Sequence, residues 1–293
     1  MIILEKPYVS EFLINTIKEN NFNVLDNEIA RKYFSEKFLI SNSEAVKKYD
    51  SENELFYTNS ENSISWISEY LNNSNLLNTI EICKNKALFR KTISEIYPEY
   101  YFKEFKFNKL FEVNPDDLKF PFILKPCVGF LSFGVYPVKN KQIWGKTLLK
   151  LKSDIEKLEN IFPKDVVNMS NFIIEEMIEG EEYAIDAYFN DNSEAVILNI
   201  FQHPFFDDKD VSDRAYFSSK IIFEKYYDKF LKLLNDIGKI TGFKNFPFHL
   251  ELRANEKSII PIEINPMRFC GWCITDIAKY CWEIGRASCR ERV

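Results

Sequence analysis

A mixed α/β fold in two parts is what the sequence predicts: a small doubly wound α/β domain over residues 1–82, then a larger α+β domain over 83–284. Three observations predict it. Near the N-terminus short apolar runs alternate with amphipathic helical stretches, the order that builds a parallel sheet. Beyond about residue 100 period-2 strands dominate, interrupted by two long amphipathic helices. The 293 residues, 46% hydrophobic and 16% aromatic, also suffice for a sizeable core spread over two or three subdomains.

In the first domain Ile2–Leu4 and Phe22–Leu25 are strand candidates flanking an amphipathic helix, Val9–Asn20, with Phe12, Leu13, Thr16 and Ile17 on one side. Phe38–Ile40 and Leu55–Tyr57 are two further strands, separated by a helical Ser43–Tyr49, and Ile64–Leu71 reads as helix. No Gly-x-Gly-x-x-Gly follows the first strand, so a dinucleotide site has no local support. Asn75–Glu95 reads as one long helix stopped by Tyr97-Pro98. A lid subdomain, about 100–174, then contains strands Tyr100–Phe107 and Phe120–Pro126 and a helix Gln142–Phe162, with Leu148, Leu151, Ile155, Leu158 and Phe162 on one face. The remaining subdomain, about 175–284, follows a strand over Asn171–Ile178. It contains a Glu182–Phe189/Glu194–Gln202 hairpin, a polar His203–Ser219 loop and a helix Ile221–Ile240 closed by Thr241-Gly242. After Trp282 the periodic apolar pattern stops. Residues 285–293 read as a non-native tail, with the native chain continuing past Trp282.

A net charge of −6 and a pI near 5.3 leave no dominant basic face, which argues against a general nucleic-acid binder. No run approaches the ~18 apolar residues of a membrane span, and Glu5 interrupts the N-terminus too early for a signal peptide. A cytoplasmic protein is expected. Cys270-Gly-Trp-Cys273 is a C-x-x-C, but it lacks a thioredoxin-like surrounding pattern and a second close pair. Buried thiols are expected there in place of redox or zinc chemistry.

Chemistry concentrates in three stretches. In Phe248–Arg268 two strands, Phe248–Arg253 and Ser258–Asn265, put Leu250 and Leu252, with Ile262 and Ile264, on one face. Glu251, Glu263 and Asn265 then share the other face, provided that the pairing centres on Lys257 and the loop has an odd residue count. Opposed carboxylates that close repel unless a proton or a cation lies between them. Two carboxylates and an amide oxygen are a hard, all-oxygen set suited to Mg²⁺ on nucleotide phosphates. Phe120–Val138 places Lys125 at a strand end before a loop with Gly129, Ser132 and Gly134, a nest for an anion. Phe172–Tyr183 leaves a strand at a glycine turn. Its Met177 and Ile178 backbone can meet an adenine edge, with Glu175 toward the amine and Glu182 toward ribose. Each stretch alone also reads as an ordinary turn or solvated face.

Taken in order, the helix Asn85–Arg90, the Ile123–Pro126 strand with its glycine loop, the Glu175–Glu182 hinge, the Glu251 strand and Glu263–Pro266 resemble the ATP-grasp ligases. The likeness covers roughly residues 80 to 280. It implies an ATP-grasp fold preceded by the small α/β domain, and an ATP-dependent carboxylate–amine ligase acting through an acyl phosphate. Lys86 and Lys125 would contact the ATP phosphates, with Ser132 and Gly134 in the lid over them. Glu175, Met177 and Ile178 would take adenine, and Glu182 ribose. Glu251, Glu263 and Asn265 would hold two Mg²⁺ ions, with Mn²⁺ as an alternative. Arg268 would anchor a carboxylate or acyl phosphate, making it and Lys86 the catalytic residues. The implied partners are small acids and amines, such as amino acids or peptides, with neither nucleic acid nor membrane. An ATP-grasp kinase of a small hydroxyl substrate and a non-catalytic nucleotide-binding module are the alternatives. The family's Asn-x-Arg is stretched here to Asn265-Pro266-Met267-Arg268. His249 stands where D-alanine ligases have an arginine, either donating to an oxyanion or packing. Arg214 is the candidate for a further cation near the γ-phosphate.

Overall fold

Ile2–Ile3 (β1), Val24–Leu25 (β2), Leu39–Ile40 (β3) and Tyr57–Thr58 (β4) form a parallel sheet in the order β3-β2-β1-β4. Alternation sends Ile2, Leu4 and Val24 toward Ile17 of the helix Glu11–Asn20 (α1), and Ile3, Leu25 and Ile40 into a second core. Burial on both faces is what makes these short strands read as continuous apolar runs. The helix begins two residues later than Val9 because Ser10 caps it, accepting the Leu13 N–H at 3.0 Å. Asn42–Glu52 (α2) and Ile64–Tyr70 (α3) complete this unit. The structure, a computed structural model, describes residues 1–52, 55–71, 74–129, 134–159, 170–205 and 215–276. Ser132, Phe162, Arg214 and the tail lie outside them.

The expected single helix Asn75–Glu95 is instead two helices, Asn75–Lys84 (α4) and Lys86–Thr92 (α5). Asn85 sits between them in an extended conformation, φ −94° and ψ 102°, and its Oδ1 accepts the Ala87 and Leu88 N–H groups at 3.1 Å each. Asparagine side chains compete with the helix for backbone donors, so this residue caps a new helix. The Lys86 N–H goes to the Cys127 carbonyl at 2.8 Å. The break therefore fixes Lys84 and Lys86 on either side of a corner.

Phe102–Lys106 (β5), Phe122–Pro126 (β6), Tyr136–Val138 (β7) and Asn171–Glu176 (β8) form an antiparallel sheet in the order β5-β8-β6-β7, with the short helix Phe107–Leu110 (α6) at one end. Lys141–Glu159 (α7) covers it with Trp144, Leu148, Leu151 and Ile155, giving this unit a core of its own. Glu181–Phe189 (β9), Ala195–His203 (β10), Phe246–Ala254 (β11) and Ile259–Pro266 (β12) form the last sheet, ordered β10-β9-β11-β12 and antiparallel. One face packs Ile185, Ala187, Phe248, Leu250 and Leu252 against Phe230, Leu234 and Ile237 of the helix Lys220–Thr241 (α8), in a core shared with the first sheet. The opposite face carries the polar residues. Among the described residues no helix is long and apolar enough to cross a membrane.

Gly180 joins the second and third sheets with φ +119°, and a Cβ there would lie 2.5 Å from the Ala254 carbonyl oxygen. Gly180→Ala is expected to cost about 2 kcal/mol or more, the scale of left-handed strain plus a backbone clash. Urea unfolding measures it. An unchanged midpoint would show that the hinge can close without glycine.

Candidate active site

Three rows of residues cross the polar face of the last sheet. Arg253 lies opposite Glu182, Glu251 lies between Ala184 and Glu263, and His249 lies between Asp186 and Asn265. The expected Glu251–Glu263 opposition is present and centres on Lys257, but the odd loop is not. The turn is even: Asn255 N–H donates to the Ser258 carbonyl at 2.9 Å around Glu256 and Lys257, and Asn255 Oδ1 accepts the Lys257 and Ser258 N–H groups. Near the turn the register pairs Leu252 with Pro261. A bulge at Ile262, between the Leu252–Pro261 and Glu251–Glu263 pairs, adds the residue that turns Glu263 to the Glu251 side. Without it Glu263 would point into the core and Ile262 into the site.

Lys86 Nζ lies 2.6 Å from Glu263 Oε2. Burial pushes the Glu263 carboxyl up, but the charge and hydrogen bond of Lys86, with Lys125 and Lys84 beyond, outweigh it and hold the group at about 2. Glu251 Oε1 accepts from Asn265 Nδ2 at 3.2 Å and lies 3.8 Å from His249 Nε2. His249 Nδ1 is 2.8 Å from Asp186 Oδ1, and this wholly buried carboxylate also accepts the Cys270 N–H and the Thr275 hydroxyl. His249 is therefore locked by a buried partner, with its other nitrogen toward Glu251.

Among the described residues no three of His, Cys, Asp and Glu are grouped to hold a metal. A cation here would take two opposed carboxylates plus the Asn265 oxygen, which fits the hard oxygen preference of Mg²⁺. The position already stabilises positive charge, since the Lys86 ammonium rests on Glu263.

Deeper in the cleft, Glu175 Oε1 lies 2.5 Å from Lys125 Nζ and its Oε2 accepts from Arg90 Nε at 2.7 Å. All three are buried. Burial raises the Glu175 carboxyl, yet Arg90 and Lys125 overcome it and hold it at about 2. Lys125 is lowered, burial outweighing Glu175, whereas Arg90 is raised because Glu175 outweighs burial. The expectation that Glu175 meets an adenine amine is not carried by this arrangement, because cations occupy both oxygens. A base in the adjacent cavity, about 540 Å³ and lined by Phe120, Glu176, Met177, Ile178, Gly180 and Arg253 among others, would meet the strand backbone instead. The Ile178 carbonyl accepts from Arg253 Nη1 at 3.3 Å, which leaves Met177 as the freer of the two expected backbone groups among the described contacts. Glu182 is held by Arg253 Nε and His203 Nδ1, each at 3.2 Å. Gly134, at φ +76°, lies against the Pro126 ring.

At the other end of the sheet the extra residue before Arg268 is absorbed by Met267, in the left-handed region at φ 67°. Its N–H reaches the Pro247 carbonyl, and its own carbonyl accepts the Thr58 N–H from the first sheet. Arg268 Nε and Nη2 donate to Glu61 Oε1 at 3.0 and 2.7 Å, and Nη1 to the Phe269 carbonyl at 2.9 Å. Lys84 holds the other Glu61 oxygen. Burial raises the Glu61 carboxyl, but Arg268 and Lys84 bring it below its ordinary value.

Glu61, Lys84, Arg90, Asp186 and Arg253 were not legible as site residues. Two signals were present. Arg90 stands one helical turn from Lys86, and Asp186 shares the Glu182 face at an even spacing.

The family model for the ATP-grasp domain matches residues 118–276, more than half of the chain. A search of curated protein sequences gave no match. Among solved structures, an L-amino acid ligase from Bacillus licheniformis superposes with a TM-score of 0.65 at 18% identity, over 95% of this chain and 70% of that one. The biotin carboxylase domain of a Hydrogenobacter thermophilus 2-oxoglutarate carboxylase, in complex with MgADP, ADP and bicarbonate, gives 0.64 at 11% identity, covering 94% and 66%. A D-alanine–D-alanine ligase from Bacillus anthracis gives 0.52 at 15%, covering 90% and 85%. These likenesses show a common fold, and the matched family domain spans Lys125, Glu175 and the opposed carboxylates Glu251 and Glu263: the chain belongs to the ATP-grasp family.

Proposed function

We propose that the chain is an ATP-dependent ligase joining a small carboxylic acid to an amine. The observation that carries this reading is the Lys86–Glu263 contact, an ammonium resting on a carboxylate that a bulge turns to the side of Glu251 and Asn265. Lys86 would exchange its carboxylate partner for phosphate oxygens of ATP, and Lys125, still held by Glu175, would offer them its remaining N–H donors. Two Mg²⁺ ions held by Glu251, Glu263 and Asn265 would neutralise charge on the transferring phosphoryl group. Glu175 and Arg90 keep Lys125 aimed at the cleft, and Met177 would present its backbone to adenine, with Glu182 below the ribose. The acid's carboxylate oxygen attacks the γ-phosphorus and ADP leaves. The amine then attacks the acyl carbon and phosphate leaves, forming the C–N bond. Positioning and charge neutralisation do most of this work.

ADP release is measured with pairs drawn from amino acids, dipeptides and simple amines. ADP and free phosphate in equal amounts, requiring both acid and amine, is the expected outcome. A stable phosphorylated product formed without an amine would establish a kinase instead.

A further inference from the structure

We propose that a second cavity, away from the nucleotide cleft, binds a short apolar peptide with free termini and couples its occupancy to that cleft. The cavity, about 800 Å³, is larger than the one beside Met177 and shares no lining residue with it. It opens where α2 and α3 of the first unit meet α4 and the turn from α8 into β11. Binding there does not depend on the ligase reading; only the coupling presupposes an ATP site.

The walls are built in advance. Tyr49, Phe56, Trp66 and Tyr70 form a chain of rings with centroids 5.6, 5.7 and 5.2 Å apart in turn. Asn42 pins the last two, accepting the Trp66 indole N–H at 2.9 Å and donating to the Tyr70 hydroxyl at 3.0 Å. On the α8 side, Gly242 ends the helix in the left-handed region at φ 65°, and Asn245, at φ 51°, turns the chain into β11 with its N–H on the Asn190 carbonyl. Phe243, Phe246 and Met267 line the cavity from the core, whereas Tyr70 and Leu55 keep 37% and 53% of their surface exposed. A ligand with an apolar body would take water off those two side chains.

The polar groups say what enters. Lys244 and Asp50 are the charged residues of the lining, both exposed and neither in an ion pair among the described residues. One charge of each sign suits a zwitterion and gives a nucleotide only one lysine for several negative charges. The side-chain amides of Asn75, Asn78 and Asn245 line the same cavity with no hydrogen bond among the described residues. An amide both donates and accepts, so it can pair the carbonyl and the N–H of a peptide unit. A single amino acid matches the charges but brings no peptide unit, and it leaves most of a cavity this large unfilled, since cavities of roughly 300–1,000 Å³ hold drug-sized molecules. A dipeptide with apolar side chains supplies the termini, the amide and the body together.

Two parts of the lining continue into the active site. Thr79 and Ile82 stand on α4, whose last residue is Lys84 and whose corner at Asn85 sets Lys86 against Glu263. Met267 lies between Asn265 and Arg268, with its N–H on the Pro247 carbonyl and its own carbonyl on the Thr58 N–H. A peptide resting on α4 and Met267 therefore bears on the phosphate lysine and the metal strand at once. Linkage makes the effect reciprocal: peptide and nucleotide change each other's affinity by the same factor.

Calorimetric titration with L-leucyl-L-phenylalanine, without nucleotide, tests the site. The wild type is expected to bind it in the millimolar range or tighter, and to bind the N-acetylated, C-amidated form about tenfold more weakly. Lys244→Met and Asp50→Asn should each cost about two- to fivefold, the scale of an exposed ion pair. Thr79→Trp, which fills the cavity from α4, should abolish peptide binding while the protein still binds AMP-PNP. Lys244→Met decides the same point should Thr79→Trp fail to fold. With Mg²⁺ and saturating dipeptide, the AMP-PNP dissociation constant of the wild type should shift by about threefold or more. No binding up to about 10 mM, equal affinity for the capped peptide, or binding that survives Thr79→Trp overturns the site, the last by placing the peptide in the active cleft. An AMP-PNP affinity that the dipeptide leaves unchanged overturns the coupling. If AMP-PNP does not bind at all the ATP reading fails, while the titration without nucleotide still decides the cavity.

Discussion

Glu175→Gln is expected to destabilise the protein by about 3–5 kcal/mol at neutral pH, the usual cost of removing one partner from a buried ion pair. The substitution keeps the shape and removes the charge, leaving Arg90 at 3% and Lys125 at 5% exposure without their anion. There is little slack nearby. Among the described residues Arg90 Nη1 and Nη2 are buried with no hydrogen-bond partner, and the guanidinium lies 4.5 Å from the Tyr100 ring. The pH dependence has a defined sign. The folded carboxyl sits at about 2 against an ordinary 4.5, so its contribution is complete above pH 4.5 and is lost as the pH falls toward 2. The gap between wild type and variant should therefore narrow through that window. Urea unfolding at pH 7, repeated down to pH 3, measures both effects. A variant within about 1 kcal/mol of wild type at pH 7 would mean that solvent reaches the triad.

How much of this was legible depended on the range of the interaction. Strand alternation alone placed Glu251, Glu263 and Asn265 on one face, because a strand has only two faces and Leu250, Leu252 and Ile264 claim the other. The device that achieves it was hidden. Asn255 builds an even turn from its own side chain, and the compensating bulge at Ile262 carries no sequence mark. The break at Asn85 was missed for a related reason. Asparagine inside an amphipathic run is only mildly unfavourable to a helix, and what tips it is the Cys127 carbonyl waiting for the Lys86 N–H. The Glu61–Arg268 pair joins residues 207 apart, and nothing local in either segment points to the other. Glu175 was legible as functional in kind but not in partner. A carboxylate before a glycine turn reads as facing a ligand until two buried cations are found on its oxygens.

Glu263→Gln should reduce ADP release by at least about a hundredfold, since the loss of even an outer-shell partner of a metal ligand commonly costs ten- to a hundredfold. The same change should leave the fold nearly intact. Glu263 keeps a quarter of its side-chain surface, and Lys86 can turn toward solvent or toward the neighbouring Glu251. Two effects on the nucleotide then have opposite signs, which makes the outcome informative. Removing the carboxylate frees Lys86 from its 2.6 Å partner, so ATP in EDTA should bind as well as to wild type or somewhat better. Removing a cation ligand should abolish the gain in ATP affinity that Mg²⁺ gives the wild type. The ratio of ATP dissociation constants in EDTA and in Mg²⁺, large for wild type and near one for the variant, separates a metal ligand from a residue that merely anchors Lys86. If both affinities fall together and the ratio survives, Glu263 positions the lysine and the metal is held elsewhere.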